Sequence, residues 1–211
     1  MRNRITFLDF NNALKDFPVF STADILKDFP HMHRRRLHEW VQRGLLRHVV
    51  KGYYSFESNQ VNESFIYLAA NRIYQPSYIS LQSALSWYGL IPEFVPQVTC
   101  VSTKKTTTLN TGFGSFSYFS VKHSLMFGYT TIPSHGYPLE VKMAYPEKAI
   151  LDFLYLNPQV ASKEQFVELR LHQQVYKEKI QPEVLARYLE LFANKALTKR
   201  VVKLTEYLEN A

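Results

Sequence analysis

Arg34, Arg35 and Arg36 stand in a row, and Arg43, Arg47 and Lys51 follow shortly after them. Guanidinium groups are permanently charged, planar donors, suited to phosphate oxygens and to the O6/N7 edge of guanine. Between positions 31 and 51 these six cations face one acid, Glu39, while His31, His33, His38 and His48 add further donors. Most of the +7 formal charge of the 211-residue chain is therefore concentrated in one short stretch. The chemistry implied is the binding of a polyanion, not the making or breaking of a bond. An arginine run alone is more often a solvated helix face, so the elements that carry it must decide.

Those elements read as three short helices and a hairpin. Residues 4–16 form the first helix, with Ile5, Leu8, Asn12 and Ala13 in helical period and Phe7, Phe10 and Leu14 widening the apolar face. Phe17-Pro18 ends it. Ser21, with Asp24 three residues on, has the form of a capping box for a second helix. Pro30 is expected to open a third helix that runs to Arg43, with Gly44 just past its end. Leu45–Val50, a turn at Lys51-Gly52 and Tyr53–Phe56 read as a β-hairpin. This is the order of a winged helix-turn-helix, placed over residues 1–58.

On a wheel of about 100° per residue, Leu37, Trp40 and Val41 share one side of the third helix. Arg35, Glu39, Gln42, Met32 and His31 share the other, flanked by Arg34 and Arg36. A helix of this kind can enter the major groove of duplex DNA with its flanks on the phosphate ridges. Arg35 is the candidate for a bidentate guanine contact, and Gln42 for adenine. Arg34, Arg36 and Arg43 are assigned to phosphates, and Lys51 with Arg47 to the wing. Glu39 would repel phosphate unless it accepts from cytosine.

Residues 59–211 change character. Helices are expected at 61–74 and after Ser80 as far as Gly89. Strand-like segments follow at Gln97–Ser102, Thr106–Asn110, Ser115–Val121, Leu125–Ile132 and Tyr137–Met143. Pro146 opens another helix, Ser162 with Gln165 caps one over 163–175, and two more follow from Pro182 and near 195–208. The expected class is α+β: the N-terminal unit, then a larger domain with an antiparallel or mixed sheet and a helical tail. Lys148 and Asp152, four apart, read as an ion pair on the first turns of their helix beside Glu147.

Three segments resemble a known family. Gly44–Tyr54 is similar to the helix-end and wing segment of AbiEi-type antitoxins. Tyr78-Ile79-Ser80-Leu81-Gln82-Ser83-Ala84-Leu85-Ser86-Trp87-Tyr88-Gly89-Leu90 resembles their YIS..SAL..(H/Y)GL segment. Tyr145–Asp152 resembles their P-E-K-A-(I/L)-L-D segment. The resemblance implies a cytoplasmic bacterial transcriptional regulator, acting as the antitoxin of a type IV toxin–antitoxin, abortive-infection operon. It implies repression of the chain's own promoter through double-stranded DNA. The functional partner is a nucleotidyltransferase-like toxin, with which direct contact need not occur. Stand-alone regulators without a toxin belong to the same group.

Other classes fit less well. Glu140-Val141-Lys142 has the E-x-K form of metal-dependent nucleases, but their metal needs a second acid, and no aspartate lies between Phe29 and Leu151. Glu93 is the sole acid shortly upstream. His123, His135 and His172 lack metal-ligand spacing, and Gly112-Phe113-Gly114 is a turn rather than a phosphate loop. No enzyme activity, metal or cofactor is expected. A pure protein-docking module is the third class, separable from DNA binding by its indifference to salt. The lone Cys100 excludes an intramolecular disulfide and suits a reducing compartment. No apolar run approaches the roughly 18 residues of a membrane span, and no export signal follows the basic start.

Overall fold

A computed structural model describes residues 5–92 and 97–209. The first helix, α1 (Phe7–Leu14), starts at a capping box in which Thr6 and Asp9 satisfy each other's backbone N–H. Its inward face is Phe10 and Leu14, fully buried, while Leu8 is 67% exposed, so the apolar stripe runs through the phenylalanines and not through Ile5, Leu8 and Ala13. A two-residue strand, β1 (Phe20–Ser21), leads into α2 (Thr22–Asp28), which is capped by Ser21 and Asp24 as their spacing predicts.

The third helix, α3, spans Arg34–Gln42 and begins four residues later than Pro30 suggested. His31 and Met32 therefore lie in the preceding turn and have no place on the helix wheel. Its C-terminus follows the expected pattern: Gly44, at φ +65, lets Leu45 N–H reach the Trp40 carbonyl (2.9 Å) and its own N–H reach that of Val41 (3.0 Å). Strands β2 (Leu46–Val50) and β3 (Tyr53–Phe56) form the hairpin around Lys51-Gly52. β1 adds to its far side, giving an antiparallel three-stranded sheet in the order β1-β3-β2. Phe10, Leu14, Phe20, Ile25, Leu37, Trp40, Leu46 and Phe56 fill the core of this unit. Its aromatic rings meet closely, with Phe10 and Trp40 at 4.7 Å and Phe20 and Phe56 at 5.0 Å.

The second unit is built on a six-stranded mixed sheet in the order β6-β7-β5-β4-β9-β8. Its strands are β4 (Ser77–Ile79), β5 (Gln97–Ser102), β6 (Thr107–Thr111), β7 (Gly114–Ser120), β8 (Tyr129–Pro133) and β9 (Glu140–Ala144). β5 matches its sequence-based bounds, and β6 turns into β7 through Gly112-Phe113. The sequence-based expectations differ in three places, the first being that β9 starts at Glu140 and not at Tyr137. Leu125–Ile132 supplies a strand only from Tyr129, because His123–Leu125 is a 3-10 turn. The three-residue β4 was not anticipated, although it lies in the middle of the sheet, antiparallel to β5 and parallel to β9.

Helix α4 (Glu63–Ile73) packs on β4, β5 and β9, and α5 (Leu81–Trp87) packs on β5 and on α6 (Pro146–Leu156). The expected 163–175 helix is two: α7 (Lys163–Leu169) stops at Arg170, which takes a left-handed φ of 51, and α8 (Gln173–Lys179) restarts after His172. Helices α9 (Pro182–Phe192) and α10 (Lys195–Glu209) complete the chain. Phe166, Tyr176, Leu185, Leu197 and Leu204 belong to the same core as the sheet, so the tail is part of the second unit. Among the described residues no helix is long and apolar enough to cross a membrane.

Candidate nucleic-acid interface

Helix α3 is held by its apolar face. Leu37 and Trp40 are buried, and the side chains of Arg34, Arg35, His38, Glu39 and Gln42 are exposed. Arg35 is 90% exposed and reaches Glu39, one turn on, at 3.3 Å. Glu39, the one acid on this helix, is thus the partner of this exposed arginine. A solvent-bathed pair of this kind contributes little to stability and opens at small cost. Arg34, Arg43 and Lys51 are exposed and have no carboxylate partner among the described residues. The N-terminus of α3 is also open: His33 makes no side-chain cap, unlike Thr6 and Ser21 at the two preceding helices. Its free amides add partial positive charge beside Arg34 and Arg35.

Two of the seven sequence-selected residues are turned elsewhere. Arg36 Nη2 donates to the Ile5 carbonyl at 2.7 Å, and its guanidinium lies 5.3 Å from the Trp40 ring, which ties the start of α1 to α3. Arg47 makes a two-pronged bond to Glu57 (3.0 and 2.5 Å) and stacks on Phe113 at 5.1 Å. The Glu57 hydrogen bonds raise the Arg47 pKa further, and the same bonds lower that of Glu57. The structure therefore gathers Arg34, Arg35, Gln42 and Arg43 on one helix, with Lys51 at the hairpin tip. Arg36 and Arg47 are used in packing. Sequence periodicity could not separate the two sets, because both flank the same helix or strand.

The hairpin is not free on both sides. Val49 and Val19 are buried in the core of the second unit, and Val50 and Tyr53 pack against it. Arg72 of α4 pairs with Asp24 at 3.0 Å while lying 4.2 Å over the Phe17 ring. Asn59 Nδ2 donates to the Pro18 carbonyl and to Ser55 Oγ, each at 3.2 Å. The polar joint after Phe56 is thus a bonded seam. Burial pushes the Asp24 carboxyl up, but the Ser21 amide and hydroxyl and the Arg72 charge outweigh it and leave the pKa below its ordinary value.

A second constellation lies inside the sheet domain. Lys148 and Asp152 are wholly buried and bonded to each other, so their pairing serves the core and not an exposed helix start. Lys148 Nζ also donates to Tyr78 Oη (2.9 Å) and sits 5.0 and 4.8 Å from the Phe127 and Phe192 rings. Asp152 Oδ2 accepts from Tyr78 Oη (2.9 Å) and Ser80 Oγ (2.8 Å). Ser80 therefore gives no cap to α5, and the first residue of that helix, Leu81, is left at φ 52. Burial lowers the Lys148 pKa and raises that of Asp152, only partly offset by their attraction. Gly128 lies over this lysine: a Cβ there would stand 3.1 Å from Lys148 Cγ and 3.0 Å from the Tyr188 ring. Nearby, Glu147 Oε1 accepts from the Gln181 N–H at 2.8 Å, tying α6 to the start of α9. The network joins the second and third segments that carry the family resemblance, some seventy residues apart in sequence.

Elsewhere the strand aromatics are core. Phe116 and Tyr118 are fully buried, and Tyr118 Oη donates to the Ala70 carbonyl at 2.8 Å. Glu140 and Lys142 are exposed on β9, and Glu93 lies outside the described residues. Among the described residues no group of three or more His, Cys, Asp or Glu could hold a metal ion. Cys100 is buried, and burial pushes its thiol pKa up, away from a reactive thiolate.

The sequence matches no profile of a known protein family and no curated protein. The fold defines an α+β protein in which a small helical unit with a basic helix is fastened to a mixed-sheet domain.

Proposed function

We propose that the chain is a DNA-binding transcriptional regulator whose N-terminal unit is a winged helix-turn-helix, and that it represses its own promoter. The observation that carries this reading is α3: Leu37 and Trp40 anchor it, while Arg34, Arg35, Gln42 and Arg43 face solvent together. The order α1, β1, α2, α3 and hairpin, with exposed Lys51 at the tip, supports it. Arg35 and Gln42 take the base-reading role, and Arg34, Arg43, Lys51 and the open α3 N-terminus take phosphates. The resemblance to AbiEi-type antitoxins extends the proposal. The chain is then the cytoplasmic antitoxin of a type IV system, and a nucleotidyltransferase-like toxin is its functional counterpart.

The test is binding to promoter DNA by fluorescence anisotropy across a salt series, for the natural chain and for Arg34→Ala/Arg35→Ala/Arg43→Ala. Arg36 is left in place because it braces α1. Each lost phosphate contact should flatten the log–log salt slope by about 0.9. With Arg34 and Arg43 on phosphates and Arg35 on a base, the triple variant should therefore lose about two units of slope together with promoter preference. Binding that keeps its slope and selectivity in the variant refutes the assignment of α3 and makes the unit a protein-docking module.

A further inference from the structure

Five buried side-chain polar atoms among the described residues have no hydrogen-bond partner, and three of them fall on Asn71, Arg72 and Ser77. These residues line one cavity of about 110 Å³ between the end of α4, β4 and β9, whose wall also includes Leu68, Leu139, Gln75, Glu140 and Lys142. Asn71 is 8% exposed and Ser77 4%. Asn71 Oδ1 accepts from the Lys142 N–H at 2.7 Å, which fixes the amide so that Nδ2 is the unpaired end. The Arg72 guanidinium is anchored by Asp24 and Phe17, leaving Nε unused.

Two of the unused groups can only donate, Asn71 Nδ2 with two hydrogens and Arg72 Nε with one, while the Ser77 hydroxyl can donate or accept. The one carboxylate in the lining, Glu140, is exposed, and Lys142 two residues on carries the opposite charge. A group that only accepts fits this wall better. The cavity has room for several waters or for one small oxyanion. We infer that this cavity is a binding site for a small oxyanion, a carboxylate or phosphate of about four or five heavy atoms, bound by small adjustments of Asn71, Arg72 and Ser77. The site lies directly behind the Arg72–Asp24 bond that fastens the N-terminal unit. It stands whether or not that unit binds DNA.

Thermal melting of the full chain in acetate and in inorganic phosphate, each against sodium chloride of equal ionic strength, tests this. The melting temperature is expected to rise saturably with one of the two anions, and which one responds identifies carboxylate or phosphate as the ligand. Asn71→Asp keeps the acceptor for the Lys142 N–H but puts a negative oxygen in place of the donor, and should abolish the rise. Ser77→Ala, a milder change, should weaken the apparent affinity several-fold. No rise over chloride, or an equal rise in both variants, overturns the proposal and leaves the cavity to water. If Asn71→Asp does not fold, Ser77→Ala alone decides: an undiminished response to the anion refutes the site.

Discussion

The buried Lys148–Asp152 pair gives the sharpest test of how the sheet domain is held. Asp152→Ala removes the acceptor for Lys148, for Tyr78 and for Ser80 at once. It leaves an ammonium enclosed by Phe127 and Phe192 with one hydroxyl for company. Breaking a buried pair from one side costs about 3–5 kcal/mol, most of it the uncompensated charge. Lys148→Met conserves volume and leaves the carboxylate its two O–H donors, so it should cost less. Adding it to Asp152→Ala should recover about 1–3 kcal/mol, because the stranded charge is removed. Urea unfolding followed by Trp40 and Trp87 fluorescence measures all three. The Lys148→Met variant should also change its pH behaviour. Burial already raises the Asp152 pKa, and loss of Lys148 raises it further. A carboxyl whose folded pKa exceeds its unfolded value, about 3.9, favours folding below that value and loses this contribution as pH rises through the folded pKa. The variant should then lose stability relative to the natural chain as pH rises above about 4. Strictly additive losses, or an Asp152→Ala cost below about 1 kcal/mol, would refute the enclosed network as described.

Gly44→Ala should destabilise the chain by about 1–2 kcal/mol in urea, purely through its positive φ, since an added Cβ meets nothing within 4 Å. Asp24→Ala should cost about 1 kcal/mol from the α2 cap, with a further loss from Arg72. Because the Asp24 pKa is lowered, its contribution is present above the unfolded value near 3.8 and disappears as pH falls through the folded pKa. Acid titration of Asp24→Asn should accordingly show a shallower loss below about pH 4. Glu57→Gln frees the Arg47 guanidinium beside the hairpin, and if the hairpin lies against DNA the salt slope should steepen by about 0.9. An unchanged slope assigns Arg47 to packing alone.

Local signals in this chain were legible where one residue type has one local solution. Ser21 with Asp24 and Ser162 with Gln165 both form the capping boxes that their spacing predicts. Gly44 and Gly89 end their helices, and Gln97–Ser102 is a strand between the bounds read from its β-branched residues. Errors came where tertiary packing chooses. Leu8 and Phe10 are both apolar, and only the rings of Trp40, Phe20 and Phe56 decide which one turns inward. Pro30 can open a helix or sit in a turn, and here the turn before α3 takes it. A three-residue strand such as β4 carries too little pattern to be seen. For the candidate interface, the basic helix was visible but not the division of labour within it. Arg36 is drawn inward by a carbonyl 31 residues away, and Arg47 by Phe113 and Glu57. Lys148 and Asp152 look like any exposed i,i+4 pair, and their burial follows from elements brought together from far apart in the chain.

The parallel pairing of β4 with β9 sets an order on synthesis. Ile79 faces Met143, about 60 residues downstream, so at about 5–20 residues per second the central strand waits on the order of 3–12 s for its neighbour. During that interval Tyr78 and Ser80 have no Lys148 or Asp152 to bond, and Val19 and Val49 of the N-terminal unit have no completed second core to enter. Until that core forms, Val19 and Val49 remain an apolar flank of the basic N-terminal segment. Final closure comes from the far end of the chain, when α6 delivers the charged pair and α10 locks behind it through Arg200 on the Leu154 carbonyl.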